Sequence, residues 1–183
     1  GNGNHLTLAT SASDPDIATI ADVSTPDGKF GRALLLGTGY ASLMHPTFMD
    51  DMPNEITVSG WCKPDATGMA KTMTWFSKQS TSSPIYQKMN LHFKQPGATP
   101  TIIPFYGYGS TGTRVNCNTT ITWVDDTWYH YVFTWDADGM KIYIDTVEAA
   151  TNPAPTMGDA GAGVIDVAVG KFSTAGYHGI VDD

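Results

Sequence analysis

A tryptophan set among polar neighbours, and a strip of Tyr, Asn and His along one short segment, are the side chains of this sequence best suited to holding a sugar. In residues 56–63, Ile56, Val58, Gly60 and Cys62 alternate with Thr57, Ser59, Trp61 and Lys63. The first set reads as core, which leaves Trp61 on the polar side of the strand. A flat indole matches the C–H face of a pyranose ring, and it can equally pack against a neighbouring strand or loop. In residues 86–95, Tyr86, Lys88, Asn90, His92 and Lys94 alternate with Gln87, Met89, Leu91 and Phe93. The hydroxyl, amide and imidazole of the polar set supply the donors and acceptors that bind sugar hydroxyls. Its plainer reading is a solvated outer face. Trp61, Tyr86, Asn90 and His92 are therefore the candidate ligand residues of a shallow, aromatic-lined site. Periodicity alone does not say which sheet face carries them.

Catalytic patterns are sparse. Retaining glycosidases need two carboxyl groups about 5 Å apart across the substrate. The glutamates of this chain are Glu55 and Glu148, and neither belongs to an E-x-D-x-x-E pattern. No Gly-x-Ser-x-Gly, His-Glu-x-x-His or phosphate-cradling glycine loop occurs. His130 lies in the run WYHYVFTW, where a hydrogen-bonded structural role is the plainer expectation. Asp136 and Asp138 in WDADG look like a metal loop but lack the twelve-residue EF-hand pattern, so a hairpin turn is the better reading.

The elements that must position these residues are short and extended. Apolar positions alternate over four to eight residues, and Gly, Pro, Ser and Thr interrupt every helical period. Strands are expected near 5–9, 33–36, 40–44, 56–63, 72–78, 86–94, 101–107, 113–121, 128–135, 140–144, 147–150, 164–169 and 178–182. Many short strands at such spacing predict a sandwich or barrel. Residues 10–30 and 151–163 read as irregular connections. Both faces of WYHYVFTW are rich in apolar residues, so it is expected to be a central strand covered on both sides. Pro104 within TIIPFYGYG suggests an edge strand or a bulge.

At 183 residues the chain fits one domain, residues 1–183, able to bury a core without staples. Its net charge is −8, and Arg32 and Arg114 are its arginines. An acidic surface without a Lys/Arg cluster argues against nucleic acid and anionic membranes. No apolar run approaches the roughly 20 residues that span a bilayer. Cys62 and Cys117 read as two buried free thiols rather than a disulfide framework.

In order and spacing, GRALLLGTGYASLMHP and ITVSGWCKPD, followed by TWYHYVFTWDADGMKIYID, resemble the LamG-like jelly rolls of the concanavalin A-like lectin/glucanase superfamily. There a Gly-x-Ala-Leu strand precedes segments of the form "sxWvkPd", "WyHyvftwD" and "kiYiDg". The resemblance implies an all-β, two-sheet antiparallel jelly-roll sandwich. It implies a non-catalytic carbohydrate-binding module of a larger secreted, cell-surface or phage protein; the alternative is an assembly domain that contacts protein, and a glycan hydrolase is the least favoured reading. Location at an extracellular, cell or virion surface follows from the same likeness.

Relatives often carry a structural calcium at the sandwich rim. The opening GNGNH resembles the family's "SGNGNhG" and the closing GIVDD its "GxIDdv", which nominates Asn4, Asp182 and Asp183 as calcium ligands. The family's first strand, "vayWpFdg", and last, "vriYnraLs", have no counterpart in these residues. An exposed sheet edge is therefore expected, and with it a homo-oligomer or a borrowed strand; the alternative is a monomer in which the loop at 10–30 folds over the gap.

Overall fold

The structure, a computed structural model, describes residues 7–8, 23–24, 28–30, 33–36, 41–43, 55–64, 73–79, 87–93, 101–108, 114–122, 124–153, 166–169, 171–172, 175–176 and 179–182. All regular structure among them is strand. In chain order these are β1 (Thr7–Leu8), β2 (Val23–Ser24), β3 (Leu34–Leu36), β4 (Ala41–Leu43), β5 (Ile56–Pro64), β6 (Met73–Gln79), β7 (Gln87–Phe93) and β8 (Thr101–Tyr108). There follow β9 (Arg114–Ile121), β10 (Tyr129–Asp136), β11 (Gly139–Ile144), β12 (Val147–Asn152), β13 (Asp166–Val169), β14 (Lys171–Phe172), β15 (Ala175–Gly176) and β16 (Gly179–Asp182).

Two seven-stranded sheets result, the first in the order β1-β4-β13-β6-β7-β8-β9 and the second in the order β12-β11-β10-β5-β16-β3-β2. Strand pairing within both is antiparallel. The pair β14–β15 stands apart. This is the two-sheet antiparallel jelly roll of the sequence reading.

Alternation decides what faces the core. On β10, Tyr129, Tyr131, Phe133 and Trp135 are buried, while His130, Val132, Thr134 and Asp136 between them are only half-buried. Tyr131 and Phe133 stack at 6.1 Å between ring centroids, and Tyr129 follows at 6.3 Å from Tyr131. Cys62, Met140 and Ile142 extend this wall along the second sheet, and Leu91 and Cys117 meet it from the first. Ile56, Val58, Phe76, Val115, Ile121, Ile144 and Val169 close the margins. Both cysteines are free and buried. Burial, and then the nearby Glu148 carboxylate, push the Cys117 thiol up to about 11, so it stays protonated and packs as a small apolar group.

Several expectations are corrected here. WYHYVFTW is a central strand, but only one of its faces is fully covered, so Val132 is half-buried on the outer face rather than in the core. Apolar composition on both sides does not distinguish a covered face from an aromatic one left partly open. Ile56 and Val58, read as core, are half-buried at its margin. Pro104 lies neither at an edge nor at a register shift, because β8 runs between β7 and β9. Its pairing with β9 continues through Pro104↔Asn118, whereas pairing with β7 ends at Leu91↔Phe105, one residue short of the proline that cannot donate. Within the expected loop at 10–30, Val23 and Ser24 pair with Leu36 and Leu35 as the outermost strand of the second sheet.

At one flank the two sheets are tied side chain to backbone. Thr119 Oγ1 on β9 donates to the Ala149 carbonyl on β12 at 3.0 Å, and Asn152 Nδ2 donates back to the Asn116 carbonyl at 2.7 Å. Side chains thus take up carbonyls of two edge strands.

The β11–β12 hairpin turns on Asp145 (φ 49°) and Thr146 (φ 73°) between the closing pair Ile144↔Val147. Two central residues with positive φ are the signature of a type I′ turn, which favours Asn-Gly or Asp-Gly. The related family segment "kiYiDg" has glycine where this chain has Thr146, a β-branched residue poorly suited to that region. Thr146→Gly is therefore expected to stabilise the domain by about 0.5–1 kcal/mol, the relief of left-handed strain less the added chain entropy of glycine. Thermal unfolding should shift upward by roughly 2–3 °C; a fall would mean that the threonine makes a compensating contact.

Candidate functional site

The solvent face of the second sheet is built where β5 and β10 pair with Trp61 opposite His130 and Cys62 opposite Tyr129. Cys62 and Tyr129 point into the core, so their neighbours Trp61 and His130 share the outer face. Their rings lie 4.8 Å apart between centroids, inclined at 38°. Phe30, 67 % exposed, meets Trp61 edge-on at 5.6 Å. Lys29 Nζ stands 5.0 Å from the Trp61 ring centroid in a cation–π contact. Trp61 is thus half-buried beneath a segment of chain and beside a histidine, and Phe30 presents the more open ring.

The row that holds Trp61 extends to both sides. On β16, Asp182 pairs in register with Trp61. Beyond His130, the β11–β12 turn is clamped to β10. Asp145 Oδ1 accepts from the His130 backbone N–H at 2.8 Å, and the Asp145 N–H donates to the His130 carbonyl at 2.9 Å. The left-handed turn at Asp145 therefore fixes the backbone that carries the His130 ring.

A second row lies two residues further along β5. Lys63 Nζ forms a 2.7 Å ion pair with Asp126 Oδ1 and stands 5.7 Å from the Trp128 ring centroid. The loop before β10 is braced for this role. Asp126, at φ 57°, donates its N–H to the Pro64 carbonyl at 3.2 Å, and the Val124 N–H donates to Tyr129 Oη at 2.9 Å. Lys63 is largely covered and Asp126 is 81 % exposed by side chain, so the pair contributes little stability. What it does is hold a cation and an anion beside half-buried aromatic rings.

The sequence candidates do not converge. Trp61 lies on β5 in the second sheet. Asn90 and His92 lie on β7 in the first sheet, in register with Ser77 and Thr74 of β6. Tyr86 lies outside the described residues. A single site joining Trp61 to Asn90 and His92 is therefore not what the topology provides, because alternation within a strand carries no information about which sheet the strand joins. Of the nominated calcium ligands, Asn4 and Asp183 fall outside the described residues and Asp182 sits in the Trp61 row. Among the described residues no group of three or more His, Cys, Asp or Glu is arranged to hold a metal. Glu55 precedes β5 and Glu148 lies on the edge strand β12, both exposed.

Lys29, Phe30, His130 and Trp128 are the site neighbours that the sequence reading did not nominate. His130 was legible in principle, since alternation opposite the core residues Tyr129 and Tyr131 puts it outward. Lys29 and Phe30 belong to a segment without periodicity, so nothing in their spacing points to Trp61.

A family model, Laminin_G_3 of the Concanavalin A-like lectin/glucanases superfamily, matches residues 36–183. The chain belongs to this family. Solved structures agree on the Laminin_G_3 fold. Domain 4 of AbnA, an extracellular arabinanase from Geobacillus stearothermophilus in complex with arabinotriose, superposes with TM-score 0.60 at 20 % identity, covering 87 % of this chain and 72 % of that one. The binding domain of Botulinum Neurotoxin DC in complex with SialylT gives TM-score 0.56 at 10 % identity, covering 88 % of this chain and 39 % of that one. Domains LG4-5 of the mouse laminin alpha1 chain give 0.51 at 13 % identity, covering 80 % and 38 %. At these identities the likeness concerns the fold. No curated protein matches the sequence. Among the described residues no helix is long and apolar enough to cross a membrane.

Proposed function

We propose that this Laminin_G_3 domain is a non-catalytic carbohydrate-binding module of a larger extracellular, cell-surface or phage protein, with its site on the outer face of the second sheet. The observation that carries the reading is the contact set Phe30–Trp61–His130, partly open to solvent and flanked by Lys29 and the Lys63–Asp126 pair. Aromatic faces cover the apolar side of a sugar ring, and charged side chains at their rim bond its hydroxyls. Structures of the same fold that contain arabinotriose or SialylT support the reading without assigning a ligand. An assembly domain that contacts protein is the second reading, favoured by the exposed Phe30, Val124 and Val147.

Such an open face binds in the micromolar to millimolar range, roughly 4–8 kcal/mol. A glycan array, run with and without calcium, tests the reading. The calcium arm tests the structural ion proposed for Asn4, Asp182 and Asp183. On any responsive glycan, Trp61→Ala is expected to weaken binding at least about tenfold, which is about 1.4 kcal/mol, with the far-UV circular dichroism of the fold retained. Because β7 lies in the other sheet, Asn90→Ala and His92→Ala serve as the opposing arm. Loss of binding in those variants, with Trp61→Ala unaffected, would move the site to the first sheet.

A further inference from the structure

The charges around Trp61 are unevenly committed. The Asp126 carboxylate is engaged by Lys63 at 2.7 Å, and the Asp145 carboxylate accepts the His130 N–H. Lys29 is different. It is exposed, its ammonium stands 5.0 Å from the Trp61 centroid, and among the described residues it has no carboxylate partner. On a chain of net charge −8, a cation set against an aromatic ring, with no carboxylate partner among the described residues, is a local exception to the general field. The long-range field of an acidic protein disfavours anions, so recognition of one here requires a short-range contact, and within a Debye length of about 8 Å that contact is not screened away.

We propose that the Phe30–Trp61–His130 face selects an anionic glycan, one whose sugar ring carries a carboxylate or a sulfate. This rests on the carbohydrate-binding reading above. The sugar ring lies against Phe30 and the open margin of Trp61, and its anionic substituent meets Lys29 Nζ. Lys63 is a secondary contact, because the anion must compete there with Asp126. The opposing charges described at this face are Asp126 and Asp145. They penalise an anion placed toward the loop before β10 or toward the β11–β12 turn. A neutral sugar uses the same rings but leaves the Lys29 ammonium without a counter-ion.

The test pairs each anionic probe with an uncharged counterpart of the same ring: trigalacturonate with its full methyl ester, 3′-sialyllactose with its sialyl methyl ester, and 6-sulfated lactose with lactose. Affinities are read by calorimetry or by array titration at low and at physiological salt. At least one anionic member is expected to bind about tenfold more tightly than its counterpart, with the advantage shrinking as salt rises. Lys29→Gln should remove most of that advantage, about fivefold or more, while weakening the uncharged counterpart by a clearly smaller factor. Lys63→Gln should matter less. Lys29 is exposed and Lys63 largely covered, and a matched thermal unfolding midpoint confirms that each variant folds. Equal or tighter binding of the uncharged members overturns the anionic selection and leaves the carbohydrate reading standing. An anionic preference indifferent to Lys29→Gln overturns the assignment to this face. Absence of binding to every probe, charged and uncharged, overturns the inference together with the reading it rests on.

Discussion

Trp135→Ala is expected to destabilise the domain by about 4 kcal/mol, the middle of the range for a fully buried tryptophan cut back to alanine. Trp135 is 0 % exposed and is among the largest fully buried side chains. It sits on β10 in register with Ile56 of β5 on one side and Met140 of β11 on the other. Its removal leaves a cavity walled by strands whose backbones are held by ladder hydrogen bonds on both sides, so collapse into the space is limited and the cavity term stays near its full size. For a chain of this length the thermal midpoint should drop by roughly 8–16 °C. In urea the midpoint should fall with little change in slope. Thr134→Ala, one residue away on the half-buried outer face, is the internal control and should cost less than about 1 kcal/mol. If the two variants behave alike, β10 does not separate a core face from an outer one.

That separation was only half legible in the sequence. The order of strands could be read from alternation and punctuation: ITVSGWC and WYHYVFTW emerge as β5 and β10 with ends within about two residues, a tolerance normal for boundaries. Strands of two residues, such as β2 and β14, are too short to show a period, and they exist only because a neighbour supplies the pairing. The same limit governs the site. Alternation puts Trp61 on the polar face of its strand, and the structure keeps it on the outer face. It could not tell that Asn90 and His92 belong to the opposite sheet, because sheet membership is a long-range property of the topology. Nor could it bring Lys29 and Phe30 to the indole, since that contact comes from a connection whose course is set by what it packs against. The carbohydrate reading therefore depends on a tertiary contact set, Phe30–Trp61–His130, of which the sequence nominated only the central member.

Among the described residues the steepest backbone penalty belongs to Gly139, which closes the β10–β11 hairpin opposite Asp136. The turn Asp136–Ala137–Asp138–Gly139 is stabilised by the Asp136 carboxylate, whose Oδ1 accepts the Asp138 N–H at 2.8 Å, an Asx-type contact. Gly139 leaves the turn at φ +105°, outside the region that residues with a Cβ adopt. A Cβ at this position would sit 2.1 Å from the Asn152 carbonyl oxygen and 2.7 Å from the Pro153 Cα. Both neighbours are backbone atoms and cannot swing aside as a side-chain tip would. Gly139→Ala must therefore displace the end of β12, which pairs with β11 at Met140↔Asn152. That displacement also pulls on the Asn152 bond to the Asn116 carbonyl, one of the two side-chain ties described at this flank. The expected cost is about 3 kcal/mol, combining a strained left-handed residue with a lost edge contact. Hydrogen exchange should accelerate first along β12 and β9, while the amides of β5 and β10 keep their protection until global unfolding. The exposed turn residue offers the contrast: Ala137→Gly, in the same hairpin, should cost well under about 1 kcal/mol. A Gly139→Ala protein with wild-type stability would show that the end of β12 can part from β11 without loss, and that the Asn152 tie contributes nothing to holding the sheets together.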